Sequence, residues 1–192
     1  MTQIVSVQAT YDGVVAKVNV SQERARRALV RTLNKVAITV RAEAARKIRD
    51  VGYGLKIGDI KDNIDIRKAN VQNATVIIRA SGRPIPLIKY AARENAQGVS
   101  VQVLHGRKTI PHAFIATMPT GHRGVFVRKK GTELGKRGKP ILQRHLAHEL
   151  FGPSVPQAMA KQAVGKAMED QARARFPTVL GQELAYEASR GT

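Results

Sequence analysis

The sequence predicts an α+β fold. A long amphipathic helix near the N-terminus packs on a small, mostly antiparallel sheet, and C-terminal helices follow. Three observations predict it. Residues 21–51 contain neither Pro nor Gly and repeat apolar residues at three- and four-residue steps. The middle of the chain breaks into short β-branched runs bounded by Gly and Pro. Beyond residue 152 the helical spacing returns. At 192 residues with 43% apolar content, one domain spanning 1–192 is expected to bury a core of its own.

"IVSVQATYDGVVAKVNVS" reads as a strand, a Tyr-Asp-Gly turn and a second strand, so residues 1–20 form a strand-bearing arm. Ser21 is a natural N-cap, and Glu23 lies in the first turn, where the helix dipole favours an acid. Leu29, Leu33, Val36, Val40, Ala44 and Ile48 then form one apolar stripe. At 1.5 Å per residue the helix extends about 45 Å, and Gly52 and Gly54 stop it. Its other face carries Arg24, Arg27, Arg31, Lys35, Arg41, Arg46 and Arg49. Such a face is either simply solvated or lines a channel and touches phosphate.

In "LKIGDIKDNIDIRKANV" the spacing of Ile57, Ile60 and Ile64 predicts a short helix, and "NATVIIRASG" a buried strand. The prolines of "RPIPLIKY" require an extended edge segment. "GVSVQVLHG" alternates Val99, Val101 and Val103 as a strand closed at Gly106. "IPHAFIATMPTGHRGVFVRKKG" reads as a strand, a turn through Pro119, Thr120 and Gly121, and a second strand ending in positive charge. Phe114 and Ala116 on one face and Ile115 on the other make this hairpin apolar on both sides, as expected inside a sheet or under a subunit contact. Residues 129–140 form a basic, flexible, glycine-containing loop, and "ILQRHLAHELFG" a short helix or irregular connection. Residues 154–190 are expected as C-terminal helices: one started by Pro156, and a shorter one after Pro177 ending near Ser189.

Charge is the outlying property. Thirty-three Lys and Arg oppose 14 acids, a net +19 that attracts nucleic acid, anionic membrane or acidic protein. Residues 21–50 hold nine bases against three acids, and 121–140 seven against one, whereas 141–192 hold six against five. The basic character therefore sits in the early helix and the outflow of the hairpin, and the near-neutral C-terminal part is expected to meet protein.

Most chemistry is disfavoured by pattern. With no cysteine there is no disulfide, thiolate nucleophile or cysteine-bound zinc. No apolar run approaches the roughly 18 residues of a membrane span, and the opening residues show neither a basic leader nor an apolar signal core, so no export is expected. His145, His148 and Glu149 in "HLAHE" place two histidines at helical spacing, but the glutamate follows them instead of lying between them, as the zinc-protease patterns require. His112 and His122 flank the hairpin turn without a nucleophile elbow near Ser154. "GTELGKRG" is one residue short of a phosphate-binding P-loop. With aromatic residues at 4%, no platform for stacking single-stranded bases is expected; flexible cations on a glycine loop suit duplex backbone contact.

Taken in order, the basic amphipathic helix, "RPIPLIKY", "IPHAFIATMPTGHRGVFVRKKG" and "PILQRHLAHELFGPSVPQAM" resemble the prophage minor tail protein Z family, the tail completion proteins of long-tailed bacteriophages. That family likewise has a proline-bearing extended segment, an I-P-x-A-F-I strand, often a Gly-His turn leading to a Phe-x-Arg ending, and a Gly-Pro-Ser-Val-Pro entry to its last helices. The resemblance covers roughly residues 20–180 and is most specific over 83–160.

The resemblance implies a non-enzymatic virion protein, assembled in the host cytoplasm, at the head-proximal end of the tail. It would support head–tail joining and positioning of the DNA end. Implied partners are the tail terminator, the tail tube, the head–tail connector and the viral DNA end. A homo-oligomeric ring, hexameric by analogy, is also implied; a cofactor, metal, membrane or catalytic residue is not. Phe114, Ile115, His122 and Phe126 would carry the oligomer contact of the hairpin. Arg128, Lys129, Lys130, Lys136, Arg137 and Lys139, with Arg24, Arg27 and Arg31 of the helix, would face DNA or the acidic surface of a neighbouring ring. The alternative is an independent basic protein that binds duplex DNA without sequence preference.

Overall fold

The computed structural model describes residues 4–7, 21–104, 106–129 and 146–190. The fold is α+β, with one long helix, small antiparallel sheets and C-terminal helices. The chain forms two compact units that alternate along the sequence. Unit 1 comprises residues 1–48, 57–83 and 155–192, and unit 2 residues 49–56 and 84–154.

In unit 1, strand β1 (Ile4–Val7), helix α1 (Gln22–Asp50, whose last turn runs into unit 2), helix α2 (Ile57–Lys61) and strands β2 (Ile64–Arg67) and β3 (Val76–Ala80) precede helices α3 (Val155–Met159) and α4 (Gln162–Ser189). Helix α1 has the expected bounds. All six stripe residues from Leu29 to Ile48 are buried, and so are Val30, Thr32 and Ala37, so the helix buries more of its circumference than one stripe. Burying a Leu or Ile side chain is worth about 2 kcal/mol, so this stripe anchors unit 1. Thr32 is wholly buried, and its hydroxyl donates to the Ala28 carbonyl at 2.8 Å. Asn34 donates to the Ala69 carbonyl at 3.1 Å and accepts from the Ala69 N–H at 2.8 Å, clasping the segment after β2 to α1.

The sheet order is β1-β3-β2, antiparallel throughout, with Val7 opposite Val76 and Ile66 opposite Ile78. Ile64 does not extend α2: the helix ends at Lys61, Asn63 turns back on Ile60, and Ile64 starts β2. The three-residue spacing of the isoleucines suited a helix, but pairing with β3 outweighs it. Strand β1 matches the first strand expected of the arm; the expected turn and second strand fall on residues 8–20, outside the described residues.

Pro177 does not separate two helices, because α4 runs through it. The break falls earlier: Ala160 N–H closes α3 on the Pro156 carbonyl, and Lys161 is extended before α4 starts. A proline inside a helix costs about 3 kcal/mol. Val164, Met168 and Ala172 before it and Leu180 and Leu184 after it offset it, because all are buried and, with the half-buried Phe176 between them, follow one another at four-residue steps across Pro177. Leu180 and Leu184 pack with Ala25 and Ala28 of α1, and Phe176 covers that cluster. Leu33, Val36 and Val40 of α1, Val76 and Ile78 of β3, and Ala172 and Phe176 of α4 line an apolar cavity of about 320 Å³.

Unit 2 contains strands β4 (Ile85–Pro86), β5 (Arg93–Asn95), β6 (Gly98–Gln102), β7 (Arg107–Pro111), β8 (Ala113–Thr117), β9 (Arg123–Lys129), β10 (Leu146–Glu149) and β11 (Phe151–Gly152). They form the orders β5-β6-β7, β10-β9-β8 and β11-β4, with every pair antiparallel. "RPIPLIKY" is extended only at Ile85–Pro86; Leu87–Lys89 then make one 3-10 turn. Val99 and Val101 are buried as the alternation predicts, and Val103 lies past the end of β6.

The segment 110–117 is two strands instead of one. Ile110 pairs with Val99 in β7, His112 takes a left-handed φ of 59°, and β8 starts at Ala113. Gly98, opposite Pro111 at φ 145°, leaves the space that the Ile110 carbonyl occupies. Leu146–Glu149 and Phe151–Gly152 form strands, not a helix, because β9 and β4 supply partners that local sequence does not reveal. The ring of the fully buried Tyr90 covers Gly152, where a Cβ would come within 2.5 Å of it, and its hydroxyl donates to the Pro153 carbonyl. Burial, with a smaller contribution from Tyr53, pushes this phenol well above its ordinary value.

Candidate functional site

Strands β8 and β9 form the hairpin that the sequence singles out. Its turn closes with Met118 N–H on the His122 carbonyl and Gly121 N–H on the Met118 carbonyl, both at 2.8 Å. Gly121 has φ 82°, a conformation that glycine adopts without strain. The register places Phe114 opposite Phe126, with ring centroids 6.2 Å apart and planes tilted by 32°. Phe126 is buried, while Phe114 and Ile115 are half-buried. Arg128, exposed two residues beyond Phe126 on the same face, lays its guanidinium 5.3 Å from the Phe114 ring centre.

Gly124 makes room for these side chains. A Cβ there would lie 2.7 Å from Glu149 Oε1 and 3.0 Å from the Phe126 ring. Glu149 closes β10 and meets His122 Nε2 at 2.8 Å, so the histidine beside the turn ties the hairpin to the neighbouring strand. His148 is exposed on β10, and the helical spacing that would have paired it with residue 145 is absent from this strand. Among the described residues, no three His, Cys, Asp or Glu side chains converge as a metal site, and no helix is long and apolar enough to cross a membrane.

The basic residues differ in how they are used. On α1, Arg24 is half-buried and Arg27 pairs with Glu23. Arg31 is held by two carboxylates of α4: Glu183 at 2.6 Å from Nε, and Glu187 at Nη2. Lys35 Nζ meets the other Glu183 oxygen at 2.5 Å. Both glutamates are 5% exposed. Burial by itself raises the Glu183 pKa, but the hydrogen bonds from Lys35 and Arg31 and their charges outweigh it and hold the carboxyl below its usual range. The Glu187 hydrogen bond, partly opposed by burial and joined by that of Glu183, raises the Arg31 pKa. The guanidiniums of Arg31 and Arg190 lie 5.2 and 5.4 Å from the Tyr186 ring centre. Sequence reasoning missed Glu183, Glu187 and Tyr186. Their spacing on one helical face was visible, but nothing local pointed to α1 as the opposing surface.

Unit 2 carries fourteen Lys and Arg against four acids, and unit 1 nineteen against ten. Arg93, Arg107, Lys108, Arg123 and Arg128 are exposed on its strands, and only the last was singled out from sequence. Lys129 ends β9; Lys130, Lys136, Arg137 and Lys139 lie outside the described residues, as does His145.

Comparison with known proteins gives one family. The profile of prophage minor tail protein Z matches residues 13–190. No curated protein and no solved structure matches the chain. The hairpin, the α1 helix and the C-terminal helices all lie within the matched span. The chain therefore belongs to the prophage minor tail protein Z family, and is with that family a structural component of the bacteriophage tail.

Proposed function

We propose that this chain is a tail completion subunit at the head-proximal end of the tail. It forms a homo-oligomeric ring, hexameric by analogy, that contacts the tail terminator, tail tube and head–tail connector. It supports head joining and the positioning of the DNA end, and it performs no catalysis. Unit 2 is its polyanion-facing part, meeting DNA or the acidic surface of a neighbouring ring.

The uneven use of charge supports this reading within the family. On α1, Arg27, Arg31 and Lys35 pair with glutamates of the same chain. Unit 2 has few acids to answer its fourteen bases, and Arg93, Arg107, Lys108, Arg123 and Arg128 on its strands are exposed. Exposed cations of this kind follow a phosphate backbone or an acidic surface without reading sequence.

Neutralising Lys129, Lys130, Lys136 and Arg137 together tests the role of the basic loop. The variant is expected to fold normally and to lose head joining or DNA retention; normal yields of infectious particles would contradict it. Imaging of the neck in intact particles tests the location, and a virion complete without this subunit there would reject it.

The net charge of +19 favours a second reading, a free-standing binder of duplex DNA. Its affinity would fall steeply with salt, and negligible binding of duplex DNA at low salt removes it.

A further inference from the structure

The alternation of β5, β6 and β7 sorts their side chains onto two unlike faces. Val99 and Val101 are buried on one of them. The register puts Arg93, Asn95, Ser100, Gln102, Arg107 and Thr109 together on the other. Apart from Pro111 at its margin, every side chain that the three strands place there is polar, and none is acidic. Glu94, the acid of these strands, lies on the face of Val99. Gln102 is half-buried, with Gly54 packed against it at one end of the polar face.

Neutral partners hold Arg107 in place on this face. Its guanidinium reaches across β6: Nη2 donates to the Ala91 carbonyl at 2.9 Å, and Nη1 to the Ser100 hydroxyl at 3.2 Å and the Ser100 carbonyl at 3.4 Å. The Ser100 hydroxyl donates in turn to the Arg93 carbonyl at 3.2 Å. Ala91 takes a left-handed φ of 49°, a strained conformation for an alanine. The freedom of a long side chain is thus given up on folding, and an incoming anion meets a guanidinium already oriented. Among the described residues, neither Arg107 nor Arg93 pairs with a carboxylate, and the Arg93 side chain makes no hydrogen bond within the chain. Asn95 accepts the Gln97 N–H at Oδ1, at 3.0 Å, which leaves its amide donors for an outside acceptor.

A stable protein partner needs a buried apolar or aromatic centre, and this face offers none. An interface with nucleic acid is more polar and more positive, and arginine, asparagine and threonine there donate to phosphate oxygens without reading bases. We propose that this face of β5, β6 and β7 binds the phosphate backbone of duplex DNA, with Arg107 as the fixed donor and Arg93, Asn95 and Thr109 closing on neighbouring phosphate oxygens. The proposal rests on the reading of unit 2 as the polyanion-facing part, and for this face it selects DNA over an acidic protein surface.

Anisotropy of a short fluorescein-labelled DNA duplex, titrated with the full chain, tests it. Arg93→Gln with Arg107→Gln removes two phosphate contacts and should lower the slope of log affinity against log salt by about 2. The parent's advantage over this variant should therefore shrink about tenfold between roughly 50 and 200 mM salt. Arg173→Gln with Arg175→Gln removes the same charge from exposed positions of α4 and should keep the parent's slope. Ser100→Ala keeps the charge but frees Arg107, and should weaken binding about threefold. Arg93→Gln alone should give half the change in slope, and it breaks no side-chain hydrogen bond in case Arg107→Gln disturbs the strands.

Equal losses in the two double variants, with no effect of Ser100→Ala, would mean that net charge alone draws the DNA; the face is then overturned and the polyanion reading stands. If the parent binds poly-glutamate but not duplex DNA at low salt, DNA is overturned as the partner and the polyanion reading again stands. If it binds neither, both fall.

Discussion

Replacing Glu183 by Gln tests the ionic link between α1 and α4. The carboxylate is 5% exposed and receives Arg31 Nε at 2.6 Å and Lys35 Nζ at 2.5 Å. A hydrogen bond to a charged group is worth about 1.5–3 kcal/mol, but solvent around the exposed Lys35 reduces its share to roughly 0–1 kcal/mol. Gln keeps one carbonyl acceptor, relieves the burial of a charge, and leaves Arg31 paired with Glu187. The net loss is then about 1–2 kcal/mol, a fall in Tm of roughly 5 °C for a chain of this size. The pH dependence has a definite sign. Because the folded carboxyl titrates below its ordinary value of 4.5, its contribution is fully present above that pH and lost as pH falls through the folded value. Far-UV circular dichroism melts of both proteins at pH 7 and at steps below 4.5 should therefore show a gap that narrows with acid. A Tm within 1 °C of the parent at pH 7, or a gap that widens in acid, would refute the reasoning.

Three further outcomes are expected. Gly124→Val drives a side chain into the Phe126 ring and Glu149 and should cost about 1–3 kcal/mol; unchanged melting and unchanged amide exchange in β8 and β9 would show that the space is not needed. Asn34→Ala leaves both main-chain groups of Ala69 without their amide partner, a loss of about 1–3 kcal/mol. Faster exchange of the Ala69 amide than in the parent is the direct readout, and an unchanged rate would count against the clasp. If residues 1–192 unfold as one domain, calorimetry should give a single transition with matching calorimetric and van't Hoff enthalpies; two resolved transitions would mean that the two units melt separately.

The legible parts of the fold are those whose cause is local. The run without Pro or Gly between Ser21 and Val51 bounds α1, and valine alternation locates β6. The turn at Gly121 fixes the register that puts Phe114 opposite Phe126. The illegible parts depend on distant partners. Leu146–Glu149 become a strand because β9 lies beside them, and α4 passes Pro177 because apolar residues on both sides of it bury along one stripe. The hairpin residues could therefore be named from sequence, while the glutamates that hold Arg31, 152 and 156 residues away, could not.

That difference bears on how basic residues are read as candidate contacts. On an isolated helix, Arg24, Arg27, Arg31 and Lys35 form one positive face, and counting bases assigns all of them to a polyanion. The fold takes Arg31 and Lys35 for the buried carboxylates of α4, and Arg27 for Glu23. An external phosphate could compete for Arg31 only by drawing it from the buried Glu187 and from Glu183, which would keep Lys35, and the partly exposed guanidinium holds that cost below the roughly 3–5 kcal/mol of a fully buried pair. The unit 2 cations Arg93, Arg123 and Arg128 are exposed and face no such competition from a buried acid. Neutralising Arg123 and Arg128 should therefore weaken polyanion binding more than neutralising Arg31 and Lys35, whose loss should appear chiefly as lower stability.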